Sequence, residues 1–276
     1  MATLTFLGTG TSMGVPTLGC GCAVCLAARL PGDPNRRTRP SVMLEYDEPT
    51  PISDAPDATT SRVVLIDTGP DFHAQAIREN ISRVDAVLYT HSHADHILGM
   101  DDLRPLSFKN PEGIPLFADN PTADMIEHVF EYTFRKVDRY PTSARVHLHR
   151  LHDGPEVFPV FTTNFTKVPV IHGRNVISGF RLGSMAYLTD MSDVPEDSLP
   201  YLQDLDILIL DALRRDPHPS HAHLDKSISI VNKLAPNRAY FTHISHDLDH
   251  DVVNAELPPH IQLAHDGLKL NFDISR

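Results

Sequence analysis

Short apolar runs that end near an ionisable residue recur along this chain of 276 residues. Such runs, rich in β-branched residues, are typical of buried strands. The predicted strands cover residues 4–7, 62–66, 86–89, 114–118, 166–170, 185–188, 207–210 and 239–241. The ionisable residues that follow them are Asp67, His91, His172, Asp190, Asp211 and His243. If the strands share a sheet edge, we expect these side chains to converge on one rim, where loops carry function.

Two helical segments lie between the strands. Residues 121–135 and 223–234 place apolar residues at helical spacing, for example at Ile126 and Val129 in the first segment. Strands and helices mix without a strict βαβ rhythm, which favours an α/β sandwich over a doubly wound sheet. Residues 45–61, rich in Pro, Asp and Thr, predict an exposed hairpin or loop, and residues 216–221 predict an irregular loop. Without a linker or repeat, we predict one domain over residues 1–276.

The strongest local signal for function is the run His-Ser-His-Ala-Asp-His at residues 91–96. In an extended loop alternate side chains point the same way, so His91 and His93 can hold one metal ion. Asp95 and His96 then begin a turn and can reach a second ion. Imidazole and carboxylate suit Zn²⁺, Mn²⁺ or Fe²⁺. Four ligands within six residues favour a metal site over a histidine-rich surface loop.

The run resembles the metal-binding signature of the metallo-β-lactamase superfamily, and the strand-end residues follow in the same order. The resemblance spans nearly the whole chain and implies an αββα sandwich with two divalent ions, Zn or Mn, at one edge. The implied ligands are His91, His93 and His172 for one ion, and Asp95, His96 and His243 for the other. It further implies that Asp190 bridges the ions and that Asp67 orients the bridging hydroxide.

The three cysteines lie close together, at Cys20, Cys22 and Cys25. An odd number in so short a segment is a poor disulfide framework, and in a reducing compartment such a cluster more often binds metal. A tetrahedral zinc site needs a fourth ligand, and His246, three residues after His243, is the candidate. The combination is similar to the cyclic phosphodiesterase branch of bacterial phosphonate breakdown. That resemblance implies one structural Zn in a Cys3His knuckle near the N-terminus, which fastens the N-terminal loop to the strand end presenting His243.

His223, in the sequence Ser-His-Ala-His-Leu-Asp, resembles the loop histidine that acts as general acid in phosphodiesterases of the superfamily. An imidazole titrates near neutral pH and can protonate a leaving alkoxide. His221 lies two residues earlier and is the alternative acid. Candidate phosphate anchors are Arg104, Arg214 and Arg215, although a surface or structural role is the simpler interpretation of each.

Composition limits the expected partners and location. The formal net charge is −12, and an acidic chain is a poor candidate for an extended nucleic-acid surface, because phosphate contacts need Lys and Arg. No apolar run approaches the roughly 20 residues that span a bilayer, and the N-terminus lacks the basic segment of a signal peptide. We therefore expect a cytoplasmic protein with a small-molecule partner and no membrane. A homodimer is expected from the resemblance alone.

These observations predict a metal-dependent hydrolase of small cyclic or nucleotide-like phosphodiesters, with hydroxide between two ions as the attacking group. Three alternatives stay open. A carboxylic ester, thioester or lactone hydrolase has the same dinuclear core. A tRNA 3′-processing nuclease also shares it, but the Gly-rich basic arm of that group has no counterpart here. A metal-stabilised protein without hydrolytic activity is the third, and its pyrroloquinoline-quinone biosynthesis example departs from the full metal-binding run.

Overall fold

The computed structural model describes residues 1–50, 59–138 and 140–275. Within them, fourteen strands form two seven-stranded sheets, with eight short α-helices between the strands. The strands are β1 (Ala2–Gly8), β2 (Ser41–Pro49), β3 (Thr59–Ile66), β4 (Ala86–Leu88), β5 (Ile114–Asp119), β6 (Val146–Leu151), β7 (Glu156–Val160), β8 (Thr163–His172), β9 (Asn175–Leu182), β10 (Met185–Leu188), β11 (Ile207–Asp211), β12 (Arg238–Thr242), β13 (Ile261–Leu263) and β14 (Lys269–Phe272). The helices are α1 (Ala23–Ala27), α2 (Phe72–Arg78), α3 (Ala94–Ile97), α4 (Arg104–Ser107), α5 (Asn120–Val129), α6 (Glu131–Phe134), α7 (Leu224–Leu234) and α8 (His250–Glu256).

Each sheet joins an antiparallel part to a parallel part. The first has the order β14-β1-β2-β3-β4-β5-β6, and its strands β3 to β6 are parallel. The second has the order β13-β12-β11-β10-β9-β8-β7, and its strands β10 to β13 are parallel. The carboxyl ends of neighbouring parallel strands lie at one edge of a sheet, which is where α/β folds place ligands. The loops after β3, β4, β10, β11 and β12 therefore lie at these sheet edges.

The alternation of side chains along the central strands explains why helices cover both outer faces. Ile66 of β3 and Ile209 of β11 belong to one buried cluster that contains residues of both sheets. Their neighbours point the other way: Leu65 packs in a cluster with α2 and α5, and Leu208 in a cluster with α7. Strands buried on both faces are apolar throughout, which explains the uninterrupted apolar runs. The order helix, sheet, sheet, helix confirms the predicted αββα sandwich.

All eight predicted strands are present, with bounds that differ by a few residues. The helix predicted over residues 121–135 is divided at Phe130, whose backbone leaves the helical region (φ −109°, ψ 36°). The other predicted helix begins at Leu224, and His223 is its N-cap residue. The segment predicted as an exposed hairpin or loop is a hairpin of β2 and β3, in which Tyr46 and Glu48 are buried. Residues 51–58 of that segment lie outside the described residues.

The sequence also predicted the domain count, the oligomeric state and the absence of a membrane span. Among the described residues, no helix has the length and apolarity needed to cross a bilayer. The single domain over residues 1–276, the homodimer and the cytoplasmic location stay predictions.

Candidate metal centre and active site

Three histidines meet where β4 and β8 end. His91 and His93 lie in the loop after β4, and His172 is the last residue of β8. His91 Nε2 is 2.9 Å from His93 Nδ1, and the His172 ring centroid is 5.3 Å and 5.1 Å from those of His91 and His93. His172 Nδ1 donates to the carbonyl oxygens of Asp190 (2.6 Å) and Ser220 (2.9 Å), so its Nε2 carries the free lone pair. One nitrogen of each lies close enough to the others to share a single metal ion.

A second group combines two carboxylates with two histidines. Asp95 and His96 belong to α3, whereas Asp190 and His243 lie just after β10 and β12. His96 Nε2 is 3.4 Å from an Asp95 oxygen and 3.3 Å from Asp190 Oδ1. His243 Nε2 is 3.1 Å from Asp190 Oδ2. The four side chains are buried, and each offers one ligand atom to a common position.

Asp190 lies between the two groups. Its Oδ2 is 3.1 Å from His243 Nε2 and 3.8 Å from His91 Nε2, so one carboxylate faces both sets of donors. Burial by itself would raise the pKa of Asp190, but the histidines around it, His243 and His96 foremost, hold that pKa well below its ordinary value. The side chain is therefore a carboxylate, the form that binds metal.

Unpaired nitrogen atoms show that these groups fit metal ions. Although Asp190 oxygens lie near them, Nε2 of His96 and Nε2 of His243 are buried and make no hydrogen bond among the described residues. Leaving a buried polar atom unpaired costs about 1–3 kcal/mol, whereas metal coordination satisfies it. His96 Nδ1 lies 2.7 Å from Asp67, which is the arrangement of a metal-binding imidazole supported by a carboxylate behind it. The donor set fits divalent ions.

Three residues of the site have a left-handed backbone where their strands end. The φ angle is 65° at Asp67, 58° at Asp190 and 56° at His243. Non-glycine residues rarely adopt this conformation, which costs on the order of 1–3 kcal/mol. Strain of this kind persists where the surrounding structure enforces it, and it concentrates at functional sites.

Asp67 is buried behind the second group. Its oxygens accept hydrogen bonds from the backbone N–H and the hydroxyl of Thr90, both at 2.8 Å, and contact His96 Nδ1. These contacts make it a support for His96, and its expected role toward the attacking oxygen stays a prediction. Sequence reasoning missed Thr90, whose hydroxyl also lies 3.0 Å from His91 Nδ1. Its position between a strand end and the first histidine was the available signal.

The structure brings His221, and not His223, into the cluster. His221 Nδ1 is 2.6 Å from Asp211 Oδ2, and its ring stacks on that of His243 with centroids 4.6 Å apart. His223 caps α7 and belongs to none of the potential ligand groups found among the described residues. Burial lowers the pKa of His221 to about 4 and raises that of Asp211 well above its ordinary value. The contacts favour His221 as the acid, and the expectation for His223 stays a prediction.

The cysteines meet His246 as expected. The Sγ atoms of Cys20, Cys22 and Cys25 lie 3.2, 3.5 and 3.3 Å from His246 Nδ1. Tetrahedral zinc with bonds of about 2.3 Å to sulfur and about 2.0 Å to nitrogen separates such atoms by about 3.5 Å. All three cysteines are free. The four donor atoms therefore have the spacing of a Cys3His site.

A cavity of about 460 Å³ adjoins the first histidine group. Its wall includes His91, His93 and His172, the start of α5 at Thr122, and Arg174 in the turn between β8 and β9. Sequence reasoning missed Arg174.

The three arginines expected as phosphate anchors are engaged elsewhere. Arg104 contacts Asp101 at 2.6 Å, and Arg215 contacts Glu256 at 2.7 Å. Arg214 donates to two carbonyl oxygens of its own loop. None of the three is among the residues described as lining the cavity, so the simpler structural interpretation suits each of them.

Comparison with known proteins shows the family of the chain. A family model described as the beta-lactamase superfamily domain matches residues 62–244. The crystal structure of a diphosphatase from the PhnP family is 51% identical, with a TM-score of 0.86 and 99% of each chain covered. The chain belongs to the PhnP family of the beta-lactamase superfamily. This confirms the resemblance drawn from the histidine run and the cysteine knuckle.

The curated relatives of this PhnP-family chain are longer proteins, and the chain matches only part of each. An octanoyltransferase of Porphyromonas gingivalis is 35% identical over 270 residues, which are 97% of this chain and 51% of that protein. A ribonuclease Z of Methanococcus maripaludis is 23% identical over 235 residues, 84% of this chain and 62% of that protein. The chain thus spans about half or somewhat more of these relatives. The family and the grouped donor atoms support the predicted metal-dependent hydrolase.

Proposed function

We propose that this protein hydrolyses small phosphodiesters with two divalent ions, Zn²⁺ or Mn²⁺, in its active site and one structural Zn²⁺ in the cysteine knuckle. The observation that carries the proposal is the position of Asp190 between two groups of donor atoms. Two ions so held supply, when bound, an activated water and positive charge for the phosphate oxygens. Two relatives support phosphate chemistry by name, the PhnP-family diphosphatase and the ribonuclease Z.

The ligands proposed from the geometry are those expected from the sequence. His91, His93 and His172 would hold one ion and Asp95, His96 and His243 the other, and Asp190, which lies near both groups, would be available to each. Asp67 is a positioning residue, because it fixes the His96 ring through Nδ1 and would leave Nε2 available for a metal ion.

Asp211 and His221 supply the proton that the leaving oxygen needs. Burial raises the pKa of Asp211 and lowers that of His221, and both shifts favour a neutral pair over an ion pair. In the neutral pair Asp211 Oδ2 donates its proton to His221 Nδ1, and His221 Nε2 carries a hydrogen. When Nε2 passes this hydrogen to the leaving oxygen, Nδ1 takes the proton of Asp211. The pair loses one proton and ends as carboxylate and neutral imidazole.

A diphosphate linkage is the second candidate substrate, and one observation favours it: the 51% identical protein is a diphosphatase. The leaving group is then a phosphate, which is a weaker base than an alkoxide and depends less on a general acid. Loss of His221 should therefore slow hydrolysis of a phosphodiester with an alkoxide leaving group, such as a cyclic nucleotide, more than diphosphate hydrolysis.

A substrate panel tests the proposal. We expect the metal-loaded enzyme to hydrolyse bis(p-nitrophenyl) phosphate and a cyclic nucleotide faster than an acyl thioester, and the Asp190→Asn variant to lose these activities together. A dinucleoside diphosphate in the same panel compares the two phosphate candidates. Faster turnover of the thioester than of every phosphate compound would contradict the proposal and favour the acyl hydrolase.

A further inference from the structure

Both sheets hold the backbone of Thr90, the residue directly before His91. Its N–H donates to Asp67 Oδ1, in the loop after β3 of the first sheet, at 2.8 Å. Its carbonyl oxygen accepts from the N–H of Ser178, in β9 of the second sheet, at 2.9 Å. The side chain of Thr90 is completely buried, and a β-branched side chain is restricted at χ1. The position of its hydroxyl is therefore fixed.

The Thr90 hydroxyl donates one hydrogen bond and accepts another. Its single hydrogen goes to Asp67 Oδ2 at 2.8 Å, because a carboxylate can only accept. Its oxygen then accepts from His91 Nδ1 at 3.0 Å. Within the described part of the chain, His91 Nδ1 has no other hydrogen-bond partner. The hydroxyl therefore keeps the hydrogen of the neutral His91 ring on Nδ1 and leaves the lone pair on Nε2.

The same hydroxyl is connected to a histidine of the second donor group. Asp67 Oδ2, which accepts from Thr90, also lies 2.7 Å from His96 Nδ1. The hydroxyl thus contacts the His91 ring directly and the His96 ring through Asp67. Both rings turn Nε2 toward Asp190: His91 Nε2 is 3.8 Å from its Oδ2, and His96 Nε2 is 3.3 Å from its Oδ1. One side chain therefore supports a histidine of each group.

We propose that Thr90 is a positioning residue for both active-site ions, because its hydroxyl fixes the tautomer and ring orientation of one ligand in each group. The inference rests on the ligand set of the proposed function. Asp67 differs from Thr90, since it contacts His96 and makes no hydrogen bond to His91 among the described residues. Asp67 should therefore affect one ion and Thr90 two. Partners that fix a metal-binding imidazole typically change metal affinity about 10- to 100-fold.

The test is a titration with Mn²⁺, which prefers oxygen ligands to thiolates, on protein that retains its knuckle zinc. Thr90→Val keeps the shape of the side chain and removes the hydroxyl, so affinity for Mn²⁺ should fall about 10- to 100-fold. Thr90→Ser keeps the hydroxyl and should bind nearly as the wild type does. The matched control is Thr68→Val, because the equally buried Thr68 hydroxyl contacts the Tyr89 hydroxyl at 2.7 Å and not a ligand. This control should lower the melting temperature and leave the affinity unchanged.

Two backgrounds with one intact donor group each separate Thr90 from Asp67. His243→Ala leaves the first group intact, and His93→Ala leaves the second. Thr90→Val should lower the affinity for Mn²⁺ in both backgrounds, and Asp67→Asn only in His93→Ala. A Thr90→Val effect confined to His93→Ala, a serine variant as weak as the valine variant, or an equal loss in Thr68→Val would overturn the proposal.

The titration needs no turnover, so it tests Thr90 even if the protein hydrolyses no phosphodiester. Two bound ions without phosphodiesterase activity would contradict the proposed function and leave the role of Thr90 to be decided by the affinities alone.

Discussion

The Asp67 carboxylate is buried between Thr90 and His96, and substitution there should affect metal binding before chemistry. In Asp67→Asn, a neutral amide replaces the carboxylate that holds His96 Nδ1. We expect a metal affinity about 10- to 100-fold lower, as is typical when a residue that supports a ligand is lost. Metal titration measures the change. Asp85→Asn is the control, because Asp85 accepts from the backbone of Val63 away from the site. Unchanged affinity in Asp67→Asn would remove its positioning role.

The general acid is decided by comparing two neighbouring histidines. His221→Ala should lower kcat on a phosphodiester with an alkoxide leaving group about 10²- to 10⁴-fold at unchanged metal content, because the Asp211–His221 pair is lost. His223→Ala should have a smaller effect, since His223 caps α7 outside the ligand groups. Steady-state rates and metal analysis of both variants give the answer. A larger loss in His223→Ala would restore the assignment made from the sequence.

For individual residues, the sequence predicts those that lie close together along the chain. Four ligands lie within residues 91–96, so their spacing alone indicates metal. Asp211 contacts His221, and Arg174 lines the cavity, because of how separate loops fold. The spacing of residues in the sequence does not mark such positions.

At the scale of elements, Glu48 of β2 ties the two sheets together. Oε1 accepts from Arg62 Nε at 2.7 Å, and Oε2 accepts from the Thr162 N–H and the Thr163 hydroxyl at the turn between β7 and β8. Burial raises the pKa of Glu48, but the hydrogen bonds from Arg62, Thr163 and Thr162 outweigh it, so the pKa lies below its ordinary value. This carboxylate stabilises the fold in its ionised form.

Glu48→Gln should lower the free energy of unfolding at pH 7 by about 1–3 kcal/mol, because buried hydrogen bonds to a charged group are lost. The folded pKa lies below the unfolded value of about 4.3, so the contribution is complete above that value and is lost as the pH falls through the folded pKa. Urea unfolding of wild type and variant from pH 7 to pH 3 should show the difference shrinking with acid. A difference that grows with acid would contradict this role.

The exposed pair of Glu127 and Arg150 provides the matched control for Glu48. Glu127→Gln should change the unfolding free energy by less than about 1 kcal/mol, because exposed ion pairs contribute little.

Strands were easier to predict than helices in this chain. Central strands are buried on both faces, so each appears as an apolar run. The edge strands β6 and β7 alternate with exposed residues and gave weaker patterns. The break at Phe130 does not show in the apolar spacing, which continues from α5 into α6.

At the scale of the whole molecule, the cysteine knuckle joins the N-terminal segment to the second sheet. His246 follows β12 closely, and Ile244 donates to the carbonyl oxygen of Thr9 at 2.9 Å. Cys25→Ser should remove about one zinc ion per chain and lower the melting temperature, because zinc binding contributes to folding. Leu18→Ala, an exposed residue of the same segment, is the control. Unchanged zinc content in Cys25→Ser would show that these side chains do not form a zinc site.

The proposed function requires two ions in the active site, apart from the zinc of the knuckle, for hydrolysis. Metal quantification of the purified chain, combined with phosphodiesterase assays after chelation and stepwise reloading, tests it most directly. We predict about three ions per chain in the wild type, about two in Cys25→Ser, and activity that disappears on chelation and returns as the active-site ions are restored. One ion per chain, lost in Cys25→Ser, or hydrolysis that persists without metal would contradict the account.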